Sequence, residues 1–331
     1  MKIAFFDAHD FEIPVFEEKN SLHKHEIHFF SARLTPKTAS LAKDFPAVCV
    51  FTNDDLGSET LRILKEGGTK LIALRSAGYN HVDLKAATNL ELKVVRVPEY
   101  SPYSVAEHAV ALILTLNRKI HRAFNRVREG NFSLSGLVGF DLHNKTVGVI
   151  GIGKIGQAFC RIMHGFGCKL ILFDFHEDEN FANEVGGKYK TLKELFEESD
   201  IISLHLPLNT STQHLISDDA FTKMKTGVMI INTGRGALID TKALIKNLKS
   251  GKVGSAGLDV YENESGIFFS DLSCQILTDD VLARLMTFSN VVITGHQAFL
   301  TNEALRNIAE TTLENIADFE KSLPLINIVN L

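Results

Sequence analysis

The chain has no tryptophan and only four cysteines in 331 residues. It also has no apolar run near the roughly 20 residues that span a bilayer, so a membrane partner is not expected. The missing tryptophan, set against 23 phenylalanines, excludes nothing about function. Cys49, Cys160, Cys168 and Cys274 form no C-x-x-C pair and have no histidine at metal-finger spacing. They read as plain thiols, which removes a disulfide framework and a structural metal site. No excess of positive charge is present: 35 Lys and Arg face 40 Asp and Glu, a formal net charge of −5. A nucleic-acid partner is therefore not expected. There is no fixed-period repeat and no low-complexity tract. The opening Met1-Lys2-Ile3-Ala4-Phe5-Phe6-Asp7 meets an acidic residue too early for a secretory signal, so the expected location is cytoplasmic.

What is present is an ordinary globular composition, 45% hydrophobic and 23% charged, which excludes disorder and collagen. At about 150 residues per domain, the length suggests roughly two domains. Short β-branched or aromatic runs predict strands over Lys2–Asp7, Ile27–Phe30, Ala47–Thr52, Lys70–Leu74 and Lys93–Val97. Polar periodic segments such as Gly57–Glu66 lie between them. Alternation of this kind implies a mostly parallel sheet covered on both faces. A long helix is expected from Ser101, with Pro102 in its first turn. The segment Arg118–Arg128 carries five Arg or Lys and reads as a solvated or subunit-contact face. Asn131–Gly139 reads as a loop. The alternation then restarts, with strands expected over Thr146–Ile150, Lys169–Phe173, Ile201–His205, Val228–Asn232, Ala256–Val260 and Val291–Thr294. Six strands with intervening helices match a complete doubly wound dinucleotide-binding sheet. One more amphipathic helix is expected over Leu300–Lys321.

The sharpest local motif is Gly151-Ile152-Gly153-Lys154-Ile155-Gly156, a G-x-G-x-x-G directly after an apolar strand and opening a helical pattern. Gly151 permits the tight turn, Gly153 lets a pyrophosphate approach the backbone, and Gly156 allows the helix to pack on the strand. The helix N-terminus offers its unpaired N–H groups to phosphate. Asp174 follows the next strand, 23 positions after Gly151, where an acidic side chain can bond both ribose hydroxyls. It would repel a 2′-phosphate, which favours NAD over NADP.

Three later strand ends carry polar residues. Thr233-Gly234-Arg235-Gly236 follows one strand, and the fork of Arg235 suits a carboxylate. The next, Ala256–Val260, contains Asp259 and has Tyr261-Glu262-Asn263-Glu264 beyond it. Gly295-His296-Gln297-Ala298-Phe299 follows the last. A glutamate from the first run and His296 from the second could form a hydrogen-bonded pair, which favours the imidazolium and fixes its tautomer. Such a histidine can protonate a ketone oxygen as hydride arrives. His9, His23, His25, His28, His143 and His176 read as structural.

These stretches together resemble the D-2-hydroxyacid dehydrogenase family, and within it the fermentative D-lactate branch. The stretches that carry the resemblance are Leu74-Arg75-Ser76-Ala77-Gly78-Tyr79-Asn80, Val97-Pro98-Glu99-Tyr100-Ser101-Pro102, the Gly151–Gly156 loop and Ser203-Leu204-His205-Leu206-Pro207-Leu208. Asn232-Thr233-Gly234-Arg235-Gly236-Ala237-Leu238-Ile239-Asp240, Gly257-Leu258-Asp259-Val260-Tyr261-Glu262 and Gly295-His296-Gln297-Ala298-Phe299-Leu300 complete it. They run in the family's order over nearly the whole chain. Phe299, with Leu300-Thr301 after it, points to the lactate branch.

The resemblance implies an α/β protein of two doubly wound domains. A flavodoxin-like substrate-binding domain would take residues 1–100 and 299–331. A Rossmann NAD-binding domain, 101–298, would be inserted in it. The implied reaction is reversible hydride transfer between NADH and pyruvate, giving D-lactate. Arg235 would bind the carboxylate, His296 would be the acid/base, and Glu264 would hold its proton. NAD would contact Gly151, Gly153, Lys154, Ile155, Gly156, Asp174, Leu206, Pro207, Thr212, Thr233, Gly234, Arg235 and Asp259, the last close to the nicotinamide. Ala77, Gly78 and Tyr100 would contact substrate from the first domain. Phe299 would narrow the pocket around a methyl-sized group. The stretch Phe51-Thr52-Asn53 falls where some members place an aromatic over the substrate. No metal is implied, and a homodimer or homotetramer is. Two other readings stay open: a dehydrogenase for glyoxylate, hydroxypyruvate or a branched 2-keto acid, and an NAD(H)-sensing binding protein.

Overall fold

The computed structural model describes residues 1–329. The chain forms two compact units, Met1–Ser101 with Leu300–Leu331, and Pro102–Phe299. Residues 330 and 331, part of the expected first domain, lie outside the described residues.

The first unit runs β1 (Lys2–Phe5), α1 (Ile13–Asn20), β2 (Glu26–Phe29), β3 (Ala47–Val50), α2 (Ser58–Glu66), β4 (Leu71–Leu74), α3 (Leu84–Asn89) and β5 (Lys93–Val95). All five strands are parallel, in the order β2-β1-β3-β4-β5. That is the flavodoxin-like order. β3 and β4 are buried along their whole length, which explains their unbroken apolar runs. The returning C-terminal segment adds an antiparallel bridge at the β5 edge, Val95 to Ile328.

One ion pair ties this unit together. Arg75, just past β4, donates to both oxygens of Glu12, at 3.0 and 2.9 Å. It also donates to the carbonyls of Phe6 and Asp7. Its guanidinium lies 3.9 Å from the centroid of the Phe5 ring and 5.1 Å from that of Phe51. Phe51 is 3% exposed. Phe51 is thus a core side chain beside Arg75.

The second unit opens with α4 (Pro102–Arg118) and α5 (Ile120–Arg128). The expected basic helix is interrupted at Lys119, which takes a left-handed backbone (φ 51°) and ends α4. None of the α5 side chains is buried. Then follow β6 (Thr146–Ile150), α6 (Lys154–Gly165), β7 (Lys169–Phe173), α7 (Glu179–Glu184), β8 (Lys188–Tyr189), α8 (Leu192–Glu198) and β9 (Ile201–Leu204). The unit ends with α9 (Asp218–Lys223), β10 (Val228–Asn232), α10 (Thr241–Lys249), β11 (Val253–Leu258), α11 (Asp280–Met286) and β12 (Val291–Ile293). The last helix, α12 (Asn302–Glu320), belongs to the first unit and packs on α1 and β4.

The second sheet has seven parallel strands in the order β12-β11-β10-β9-β6-β7-β8, one more than the six expected. The extra strand, β8, is two residues long, too short to show a periodicity. The order reverses between β6 and β9, so a crevice opens at the carboxyl ends of these strands. The core is divided over the two faces: α4 and α6 cover one, with Phe159, Met163, Ile113 and Ile231 in the cluster, and α8–α11 cover the other. Each such side chain contributes about 1.5–3 kcal/mol by leaving water.

Candidate active site

The crevice between β6 and β9 begins at the glycine turn. Gly151 has φ 94°, a left-handed backbone, and a Cβ there would lie 2.5 Å from the His205 carbonyl oxygen at the end of β9. A Cβ on Gly156 would lie 2.0 Å from the carbonyl oxygen of Gly151, so α6 sits directly on the turn. Gly153 is the opposite case, with no atom within 4 Å of an added Cβ. It is also the N-cap of α6, and no side chain caps that helix. The turn therefore presents open space and bare N–H groups at a positive helix end, a cradle suited to phosphate.

Asp174 sits one residue past β7. One carboxylate oxygen accepts the Ile152 N–H at 2.6 Å and the other the His176 N–H at 3.0 Å. These bonds orient it beside the turn. Thr233, past β10, has its hydroxyl buried with no hydrogen-bond partner, an atom waiting for a ligand. Open cradle, oriented carboxylate and orphan hydroxyl fit a dinucleotide. Leu206 is half-buried and Pro207 exposed in the segment after β9.

Two residues implied as cofactor contacts are placed differently. Thr212 is buried; its hydroxyl donates to the Pro207 carbonyl and accepts from the Asn209 N–H, so it braces its own loop. Asp259 has no exposed surface. Its oxygens accept from Thr294 Oγ1 and from the N–H groups of Gln297 and Ala298 at 2.9 and 2.8 Å. His108 Nε2, on α4, lies 3.3 Å away. Burial alone would raise the Asp259 carboxyl, but the bonds from His108, Thr294 and Ala298 outweigh it and hold the group below the usual carboxylate range. As placed, Asp259 holds the loop after β12 and offers no surface to a cofactor. His108 was not foreseen. A lone histidine on an otherwise apolar helix face carries no signal until its partner is folded against it.

That loop carries His296. Its N–H donates to the Asp259 carbonyl at 2.7 Å, and its backbone is left-handed (φ 56°). A non-glycine residue is held there only when its surroundings over-determine it, and Asp259 supplies those bonds. His296 Nδ1 lies 2.8 Å from Glu264 Oε1. Glu264 Oε2 accepts the Tyr261 N–H at 3.1 Å, which fixes the carboxylate. A carboxylate only accepts, so the proton on this bond belongs to Nδ1, and Nε2 is left to exchange a proton with a ligand. The Phe269 ring packs beside the imidazole at 5.7 Å between centroids. Both side chains of the pair keep some exposure, 16% and 19%.

Arg235 follows β10, half-buried, with Nη1 donating to the Gly234 carbonyl at 2.8 Å. Asn232 shapes this turn, donating to the Arg235 carbonyl and accepting from the Gly234 N–H. β10, β11 and β12 are sheet neighbours, so Arg235, Glu264 and His296 follow three adjacent strand ends. Phe299 is buried three residues beyond His296. In the first unit, the Ala77 carbonyl accepts from Arg96, the Gly78 carbonyl from Ser76 Oγ, and the Tyr100 carbonyl from Asn307.

Residues 110–298 match the family model described as D-isomer specific 2-hydroxyacid dehydrogenase, NAD binding domain. A 2-hydroxyacid dehydrogenase homolog of Zymomonas mobilis is 51% identical over 98% of this chain and 99% of its own. The D-lactate dehydrogenase of Escherichia coli is 52% identical over 97% of each. The solved apo structure of D-lactate dehydrogenase from Escherichia coli superposes with a TM-score of 0.91 at 50% identity, covering 99% of this chain and 100% of that one. The chain belongs to the D-isomer specific 2-hydroxyacid dehydrogenase family, and residues 110–298 match its NAD-binding domain.

Proposed function

We propose that the protein is an NAD-dependent D-lactate dehydrogenase that interconverts pyruvate and D-lactate. The observation that carries this reading is the His296–Glu264 pair, 2.8 Å apart and open to solvent, on strand ends adjacent to that of Arg235. Bound NADH supplies the hydride. Gly151, Gly153, Lys154, Ile155, Gly156 and Asp174 hold it, with Leu206, Pro207, Thr233 and Gly234 alongside. Arg235 binds the keto-acid carboxylate and polarises the carbonyl, and Ala77, Gly78 and Tyr100 are the further substrate contacts that the family resemblance implies. His296 Nε2 delivers the proton to the carbonyl oxygen, and Glu264 stabilises the imidazolium before that transfer. Phe299 limits the substrate to a small side chain. Asp259 and His108 act behind His296 by fixing its loop.

Two finer statements belong to the same proposal. The enzyme works in the cytoplasm, and it is a homo-oligomer. The second is supported by α5, which exposes Ile120, Phe124 and Val127 by 56, 58 and 52%, and by Phe132, Leu134 and Val138 after it. Such a contiguous apolar face calls for a cover, and a second copy of this chain supplies one.

The test is kcat/KM with NADH for pyruvate, 2-ketobutyrate, phenylpyruvate and hydroxypyruvate, with the chirality of the product determined. Pyruvate should be among the best substrates and the product D-lactate. Preference for a larger or hydroxylated acid would make the protein another 2-hydroxyacid dehydrogenase. Absence of any NADH oxidation at high enzyme would point to a sensor. Sedimentation should show a dimer or tetramer that Phe124→Asp weakens.

A further inference from the structure

Another imidazole–carboxylate pair stands behind Arg235. His214 Nε2 lies 2.7 Å from Glu262 Oε1. Glu262 Oε2 accepts from Thr241 Oγ1 at 3.0 Å and from the Thr241 N–H at 3.5 Å, at the start of α10. Glu262 was one of two glutamates in the run that the sequence offered as a partner for His296, His214 and Thr241 were not singled out, and the reaction described above uses none of the three. Glu262 and His214 are 26% and 38% exposed, so water could have satisfied both. Instead one carboxylate joins three segments: its own loop, the 209–217 segment through His214, and α10 through Thr241.

Those three segments enclose the turn that carries Arg235. On one side, the His214 N–H donates to the Ala237 carbonyl at 2.8 Å, the Ile216 N–H to Leu238 at 3.0 Å, and the Asp240 N–H back to Ile216 at 3.0 Å. On another side, Gly236 packs so closely on the chain that a Cβ would lie 2.0 Å from the Tyr261 carbonyl carbon and 2.3 Å from the Glu262 nitrogen. That approach sets Gly236, next to Arg235, against the backbone of Glu262. The same short loop holds Glu264, which orients His296. His214 itself has a left-handed backbone (φ 52°), so its side chain reaches Glu262 only from a constrained main chain.

We propose that Glu262, bridged to His214 and Thr241, is a positioning residue that holds Arg235 at the substrate carboxylate and keeps the Glu264 loop in register with it. The proposal rests on the 2-keto acid reading of Arg235. A bidentate contact tolerates little misplacement, so a loosened turn weakens substrate binding first. The phosphate cradle at β6 lies two strands from β10 and does not depend on this bridge, which reaches the dinucleotide only through Thr233 and Gly234.

Glu262→Ala, Glu262→Gln, His214→Ala and the double variant Glu262→Ala/His214→Ala provide the test, made on the full-length protein. Hydrogen exchange of the 233–240 amides is measured alongside pyruvate KM, kcat and NADH affinity. Glu262→Ala should raise pyruvate KM about ten-fold, a loss typical of a hydrogen bond to a charged group, with NADH affinity within about two-fold. Glu262→Gln still accepts from Thr241 or His214 and should recover most of the loss. The double variant should be little worse than Glu262→Ala alone. Exchange at 233–240 should accelerate in Glu262→Ala and not at 151–157. Unchanged pyruvate KM and unchanged exchange in folded Glu262→Ala would overturn the proposal, as would equal losses of pyruvate and NADH binding. If the wild type turns over no 2-keto acid, the functional reading fails, and the exchange pattern still decides whether Glu262 holds the Arg235 turn.

Discussion

In the first unit Arg75 and Glu12 meet beyond the strand ends with 0% and 3% of their side chains exposed. In the second, His296 and Glu264 meet beyond strand ends with 16% and 19% exposed. Both pairs are short, and both use the carboxyl end of a parallel sheet. They differ in what the cation can do and in what water can reach. Arg75 is committed to five protein acceptors, and although burial alone would weaken its charge, Glu12 beside it raises its proton affinity. A guanidinium so held exchanges no proton, and its work is architectural. An imidazole with one nitrogen fixed and the other near solvent can take up and release a proton at each turnover. The same corner of the fold thus serves strength in one unit and chemistry in the other.

The comparison breaks first at His296. His296→Gln should lower kcat about 10²- to 10⁴-fold, the usual worth of a positioned general acid, with NADH affinity and the urea midpoint nearly unchanged. A comparable loss of NADH binding would show the pair to be structural after all. Next is Arg75→Ala, which strands a buried carboxylate. Urea unfolding should show a loss of about 3–5 kcal/mol, while the kcat of the folded fraction holds. A change of less than about 1 kcal/mol would mean that Glu12 finds water instead.

A smaller effect separates the glycines. Gly156→Ala should cost about 1–3 kcal/mol of stability through its collision with the Gly151 carbonyl. Gly153→Ala should stay within about 0.5 kcal/mol yet weaken NADH binding, because its Cβ enters only open space. Titration calorimetry and thermal melts of the two variants check this; equal melts would refute the packing argument.

A pH-dependent effect concerns Asp54, buried near Arg75. Burial pushes its carboxyl up from 3.8 to about 7, against the lowering by the Phe51 and Leu34 N–H groups. The folded chain therefore keeps a proton that the unfolded chain releases. This stability is fully present below about pH 4 and is lost as pH rises to about 7. Asp54→Asn should flatten that part of the stability–pH curve. An unchanged slope would mean that another group sets it.

Much of the second unit was legible because its signals are local. Gly151, Gly153 and Gly156 each state a steric requirement within six residues, and Asp174 follows at a fixed spacing. The strands of the second sheet read well because burial on both faces makes them unbroken apolar runs. β8 did not, at two residues long. Nor did the left-handed break at Lys119, since lysine carries no mark of that backbone. The surroundings of Phe51 were not legible either, because its neighbour Arg75 arrives from another strand. His108 bonds Thr294 from 186 residues away, and no pattern along the chain links them.

The sequence by itself determined the alternation of strands and helices, the dinucleotide turn and the short list of polar residues at strand ends, because these depend on residue type and near spacing. Tertiary structure alone decided which carboxylate serves which histidine. Glu262 and Glu264 are two residues apart and chemically identical. One faces His214 and the other His296, because the loop after β11 turns between two segments that the sheet order brings to either side of it.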